Sequence, residues 1–294
     1  MSVLYDRAAE GGLRGQIAEV RRTLFRRHPT MAIGGALLTI MVVSAVFAPY
    51  LFTSDPIALN PIDRLQSPTA AHWFGTDMFG RDIYSRTVYG ARISLVVGLF
   101  AAGLSVAFGL LAGLVAGYVR LLDAIIMRIM DGLMAIPGIL LAIALISLSG
   151  ASLTTVTVAI TIPEIPRVVR LVRAIVLTVR EEPYVEAAVA AGTRLPLILV
   201  RHVLPNTVPP LIVQATYVCA SAMLTEAILG FLGAGTPPEI PSWGNIMSEG
   251  RLYFQLAPWI IFFPGVTLAL TVLAVNVLGD GLRDTLDPRI AKKM

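Results

Sequence analysis

The chain has 294 residues, 56% hydrophobic and 14% charged, with a formal net charge of +4. Soluble domains carry about 25% charged residues, so this composition excludes an ordinary water-covered surface and points to a chain covered mostly by lipid. The cations are 21 Arg and two Lys, and they lie between apolar runs, which argues against nucleic-acid binding. The single cysteine, Cys219, excludes an intrachain disulfide and a cysteine-based metal cluster.

In chain order, residues 13–27 place Leu13, Ile17, Val20 and Leu24 at helical spacing with Arg between them, which suits an interfacial helix. A bilayer core of about 30 Å needs roughly 20 apolar residues in a helix. Residues 31–52 meet this as a retained first span rather than a cleaved leader, because Pro49 follows the one small residue suited to cleavage, Ala48. Residues 53–92 form a long connection, Pro-rich at first and helix-like from Phe79. Residues 93–119 form the second span. The uncharged run 132–163 is too long for one span and too short for two. A turn at Ser149–Ser152 divides it into a third helix from Asp123 to Leu148 and a fourth from Leu153 into Arg167 and Arg170. Residues 208–230 and 256–279 are the fifth and sixth spans.

Placing the N-terminus inside puts 18 of the 23 Arg and Lys residues on inside segments, namely 1–30, 118–131, 164–206 and 280–294. This positive-inside excess supports six spans with both ends in the cytoplasm. The expected organisation is a cytoplasmic N-terminal segment (1–30), a first helix with an external segment (31–92), a core (93–280) and a cytoplasmic tail (281–294).

A nucleotide-binding P-loop requires G-x-x-x-x-G-K-[ST]. The only lysines, Lys292 and Lys293, have no such pattern around them. Nucleotide energy, if used, must come from another polypeptide. His28, His72 and His202 lie in separate segments without a metal-binding pattern, and no G-x-S-x-G elbow occurs. Glu226 is the only acid expected deep in a span, and it is read either as a group of the translocation path or as a carboxylate bonded to a neighbouring helix.

The segment 182–206 carries the most information. Glu181 and Glu182 sit where a helix dipole favours anions, and Pro183 fits a first helical turn. The run from Glu186 through Ala187, Ala188, Ala190 and Ala191 is strongly helical. Gly192 breaks it, Pro196 opens a second helix, and Pro205 precedes the next span. An exposed Ala/Gly face of this kind lets another protein's backbone approach closely.

Glu186-Ala187-Ala188 with Gly192, then nine residues and His202-Val203-Leu204-Pro205, resembles the EAA motif of ABC-importer permeases. Glu186, Ala187, Ala188, Gly192, Leu204 and Pro205 match in register, and His202 stands where the motif has Ile. Gly75-Thr76-Asp77 with Gly80-Arg81-Asp82 is similar to a segment of the dipeptide/oligopeptide/nickel branch. Its local physics reads as helix capping by Thr76 or Asp77 plus Arg–Asp pairing. Pro241-Ser242-Trp243-Gly244-Asn245 and Leu286-Asp287-Pro288-Arg289 are also similar to that branch. The chain is therefore identified as resembling a C-type permease of it.

The resemblance implies an all-α, polytopic membrane fold of six transmembrane helices with a cytoplasmic coupling helix, as in type I importers. It implies a non-enzymatic permease subunit in a bacterial inner membrane. Its partners would be a homologous second permease, two ATPase subunits carrying ATP and Mg, and an extracytoplasmic binding protein. Dipeptides, longer peptides, nickel complexes and glutathione are the substrates it leaves open. Polar residues expected on spans, and so candidates for the substrate pathway, are Gln214, Thr216, Tyr217, Ser221, Thr225, Glu226 and Asn276. A secondary transporter would instead show mid-membrane coupling acids or an inverted repeat. A membrane scaffold is the third reading, and ATP-dependent uptake would exclude it.

Overall fold

A computed structural model describes residues 29–286, and among these the chain is helical with no strand beyond an isolated Thr76–Asp82 bridge. The expected interfacial helix at 13–27 and the tail beyond 286 lie outside the described residues. The helices are α1 (Pro29–Val46), α2 (Ile83–Tyr118), α3 (Arg120–Ala135), α4 (Gly138–Ser149), α5 (Leu153–Val179) and α6 (Pro183–Ala190). They are followed by α7 (Leu195–Phe231), α8 (Trp243–Gly250) and α9 (Trp259–Leu286).

Polar side chains fix several helix starts. Asp82 caps α2 by accepting from the Ser85 amide at 2.7 Å, Ser152 caps α5 through the Thr155 amide at 3.0 Å, and Ser242 caps α8 through the Asn245 amide. The cap of α2 is thus Asp82, not Thr76 or Asp77 as expected. Thr76 instead accepts from the Gln66 amide inside the preceding loop. Helix α2 begins ten residues before the expected 93. Arg86 and Arg92 hide this first part from an apolar scan, yet both are paired within the fold, with only Arg86 Nε left without a partner among the described residues. Arg92 donates to the carbonyls of Ala45 and Val46 at the end of α1.

The third expected helix is broken. Pro137 has no amide to give and holds Ile136 in an extended conformation, so α3 and α4 meet at 90°. The turn at Ser149–Ser152 is present, with Gly150 at φ +83° ending α4. The fifth expected helix starts earlier than 208. Leu195 opens α7 with Pro196 in its first turn, a π-helical turn spans Leu199–Val203, and the helix continues through Pro205. Pro205 therefore lies within a helix rather than ahead of one. The wider π turn, with the Leu204 amide reaching back to the Leu199 carbonyl, accommodates a residue that cannot donate.

Six long helical segments thus follow one another in the expected order. Helices α1, α2, α7 and α9 are long and apolar enough to cross a membrane, and the bent α3–α4 pair makes a fifth such segment if it forms one span. Helix α5 is long enough at 27 residues but carries Glu164, Arg167, Arg170 and Arg173. It is nevertheless held at the centre of the bundle, against α2, α4 and α7.

The tightest seam is between α2 and α5. Gly109, Gly113 and Gly117 recur every fourth residue and receive Val168, Val172 and Val176, which do the same. A Cβ at Gly113 would lie 2.6 Å from that of Val172, so only glycine permits this approach. The two helices run parallel, and the bundle has two distinct ends. One, the capped end, holds the start of α2, the loop 51–82 and α8. The other, the loop end, holds α6 and the start of α7.

Candidate functional site

At the loop end, α6 runs from Pro183 to Ala190 and is closed by Gly192 at φ +76°. The Thr193 amide bonds the Ala188 carbonyl at 3.0 Å, and the Gly192 amide bonds that of Val189 at 2.9 Å. One side of the segment is anchored. Val185, Ile198 and Val203 are buried in a cluster with Val176, Val179 and Leu211. The other side is open. Glu186, Ala187, Gly192 and Pro205 are exposed, while Ala188 and Leu204 are half-buried. Val189, Leu195, Leu197 and Val200 add an exposed apolar surface beside them. An apolar patch beside small residues is the mark of a docking face.

A polar clamp holds α6 against α7. The Asn206 amide donates to the Tyr184 hydroxyl at 3.1 Å and to the His202 carbonyl at 2.6 Å, while the Tyr184 and His202 rings lie 5.9 Å apart. His202, which stands where the motif has Ile, is thus a ring packed on Tyr184.

The polar residues expected along the spans separate into two groups. Thr216 bonds its own helix at Val213 and presses on Gly279 of α9, and Thr225 bonds the Ser221 carbonyl at 2.9 Å. Glu226 is fully buried, accepting from the Ser94 hydroxyl at 2.9 Å, with its other oxygen unpartnered among the described residues. Glu226 and Thr216 serve helix–helix contacts, whereas Thr225 bonds within α7. Gln214 is half-buried and Asn276 exposed, and neither joins a side-chain hydrogen bond among the described residues.

Tyr217 and Ser221, one turn apart on α7, meet Glu164 and Arg167 of α5, which the sequence places at the inside end of the fourth expected helix. Glu164 is buried and accepts from the Ser221 hydroxyl at 3.0 Å and from Arg167 Nη1 at 3.1 Å. Arg167 Nη1 also reaches the Tyr217 hydroxyl at 3.5 Å, with the guanidinium 5.7 Å from the ring centre. Glu226 is therefore not the only acid inside a long helix. The charges at Glu164, Arg167 and Arg170 put this stretch at the inside end of the fourth expected helix. The apolar period that continues through Val156, Ile160, Val168, Val172, Val176 and Val179 was the signal that α5 runs on.

At the capped end the expected Arg–Asp pairing exists and extends further. Asp77 accepts from Arg81 and Arg86, each at 2.6 Å, and both arginines also reach Glu249 of α8. Asp77 and Arg86 are almost wholly buried.

The chain was compared with known families, proteins and structures. Residues 105–292 match the family model described as binding-protein-dependent transport system inner membrane component, and residues 16–68 match the N-terminal domain of oligopeptide transport permease C. A probable peptide ABC transporter permease of Sinorhizobium fredii is 55% identical over 97% of both chains. A dipeptide transport permease of Alkalihalophilus pseudofirmus is 46% identical over 90% of this chain and 88% of its own. A glutathione transport permease of Pectobacterium atrosepticum is 41% identical over 92% of this chain and 91% of its own. An inward-facing structure of the MetNI methionine ABC transporter shares the fold, with a TM-score of 0.57 at 20% identity over 69% of this chain and 96% of that one. With an all-helical bundle, an exposed EAA-type loop and these relatives, the chain belongs to the family of binding-protein-dependent transport system inner membrane components, as a non-catalytic permease subunit of the C type in ABC transporters.

Proposed function

We propose that the chain forms half of the translocation pathway of an ATP-driven peptide importer in a bacterial cytoplasmic membrane. The loop 182–206 docks onto separate ATPase subunits. The observation that carries this reading is the two-sided loop end, where Val185, Ile198 and Val203 root the segment in the core while Glu186, Ala187 and Gly192 face outward. The Arg and Lys excess that the sequence puts on the segments 1–30, 118–131, 164–206 and 280–294 favours a cytoplasmic location for the loop, with both termini inside. The chain has no P-loop, so energy enters by contact.

The second half of the pathway comes from a homologous permease, and ATP and Mg sit on two ATPase subunits. An extracytoplasmic binding protein delivers substrate at the capped end. Peptides are the substrate class, supported by the names of the relatives from Sinorhizobium fredii and Alkalihalophilus pseudofirmus. Closure of the ATPases moves α6 and, through the clamp with α7, rocks the helices between two access states. This requires that the ATP-bound and ATP-free ATPases hold the loop differently.

The test uses the reconstituted complex. Gly192→Pro and Glu186→Arg are expected to abolish peptide-stimulated ATP hydrolysis while the permease remains in the membrane. Normal stimulation in both variants would rule out coupling through this loop.

A further inference from the structure

The Glu164–Arg167–Tyr217–Ser221 cluster lies at a depth where charge is costly. Arg167 is the fifteenth residue of α5, about 21 Å from the helix start at 1.5 Å per residue. Ser221 and Tyr217 lie about 15 and 21 Å from the Phe231 end of α7 by the same rise. Both distances start from the capped end. In a hydrocarbon core of about 30 Å that begins at those helix ends, the cluster therefore lies between the midplane and about two-thirds of the way to the loop end.

Its two charges are not equivalent. The Glu164 side chain is 9% exposed, whereas that of Arg167 is 45% exposed. Only Nη1 of the guanidinium is engaged, and its Nε and Nη2 have no hydrogen-bond partner among the described residues. An open guanidinium at this depth does not face lipid, so this side of the chain faces water or another molecule. The Tyr217 side chain, half exposed, borders it.

We propose that Arg167, with Tyr217, forms a carboxylate subsite on the translocation path. It receives the C-terminal carboxylate of a passing peptide, while Glu164 and Ser221 are positioning residues that hold the guanidinium. The free Nε/Nη2 edge matches a carboxylate in a bidentate fork. Glu164 already offsets the arginine's charge, so the anion is held weakly enough to leave, as conduction requires. The depth disfavours a lipid headgroup as the anion. This inference rests on the peptide-import reading above.

The test is uptake by the full complex in proteoliposomes, with binding protein saturated by trialanine or by its C-terminal amide, so that the binding protein's own affinity drops out. Arg167→Gln is expected to lower the maximal rate for trialanine at least about tenfold, the scale of one charged hydrogen bond. Arg167→Lys should fall between the two. The amide should pass the wild type at the reduced rate and be slowed no further by Arg167→Gln. An equal loss for both peptides, no loss for either, or loss of the partner permease on purification would overturn the subsite. The last result would make Arg167 an inter-subunit contact. A wild-type complex that hydrolyses ATP but imports neither peptide would overturn the peptide reading itself, and the subsite with it.

Discussion

Gly113 and Gly103 sit on the same helix and differ only in what faces them. A Cβ at Gly113 meets Val172 at 2.6 Å and the Val169 carbonyl at 2.9 Å, whereas one at Gly103 meets nothing within 4 Å. Gly113→Ala is therefore expected to lose about 1–3 kcal/mol by overpacking. Gly103→Ala should be neutral or slightly stabilising, since alanine is the better helix former. Thermal unfolding of the two purified variants side by side checks this, and equal midpoints would refute the seam. The Gly-rich character of α2 was visible in the sequence, but which glycines meet a valine was not, because that depends on the azimuth of a second helix. The same limit applies to Glu226 and Glu164. The sequence marks Glu226 as an acid deep in a span, yet its neighbour Ser94 lies on another helix, 132 residues away in sequence. Glu164 escaped notice because the charges that begin with it, followed by Arg167 and Arg170, read as the inside end of the fourth helix.

Proline is where local reading of the elements fails in both directions. Pro137 breaks the helix expected to run from Asp123 to Leu148, as a residue without an amide should. Pro163, Pro166, Pro209, Pro210 and Pro264 all lie inside continuous helices. In a bundle, packing of the flanking turns offsets the lost hydrogen bond, and the neighbours that do this are not local in sequence. The loop motif was more legible, since its helix start, glycine break and second helix are all short-range features. The sequence did not reveal that α6 is clamped to α7. If Tyr184, His202 and Asn206 transmit motion between the two helices, Asn206→Ala should weaken peptide-stimulated ATP hydrolysis roughly two- to fivefold, on the scale of one neutral hydrogen bond. Basal hydrolysis should be unchanged. Tyr184→Phe, which keeps the ring on His202 and removes only the hydroxyl, should do the same. Stimulation at wild-type level in both variants would show that the clamp transmits nothing.

Across the whole molecule, Asp77, Arg81, Arg86 and Glu249 join the loop 51–82, α2 and α8 into one cap. Glu249 lies 163 residues beyond Arg86 in sequence, so no local pattern announced the pairing. Arg86 is 1% exposed, and removing a partner leaves a buried cation undercompensated. Glu249→Gln is expected to cost about 3–5 kcal/mol and to lower the thermal midpoint of the purified complex. Glu239→Gln, a nearby acid outside the network, should leave the midpoint unchanged. Equal midpoints for both variants would show that the network contributes nothing to the cap. The right-angled break at Pro137 has a consequence at this scale too. Gly138 packs beside Pro163, one residue from Glu164, so the break sits level with the polar cluster. The first amides of α4 and the last carbonyls of α3 lack helical partners there. Hydrocarbon cannot satisfy them. That stratum of the bundle must be hydrated or covered by another subunit, and the bilayer is in effect thinned by a backbone that stops being helical halfway through it.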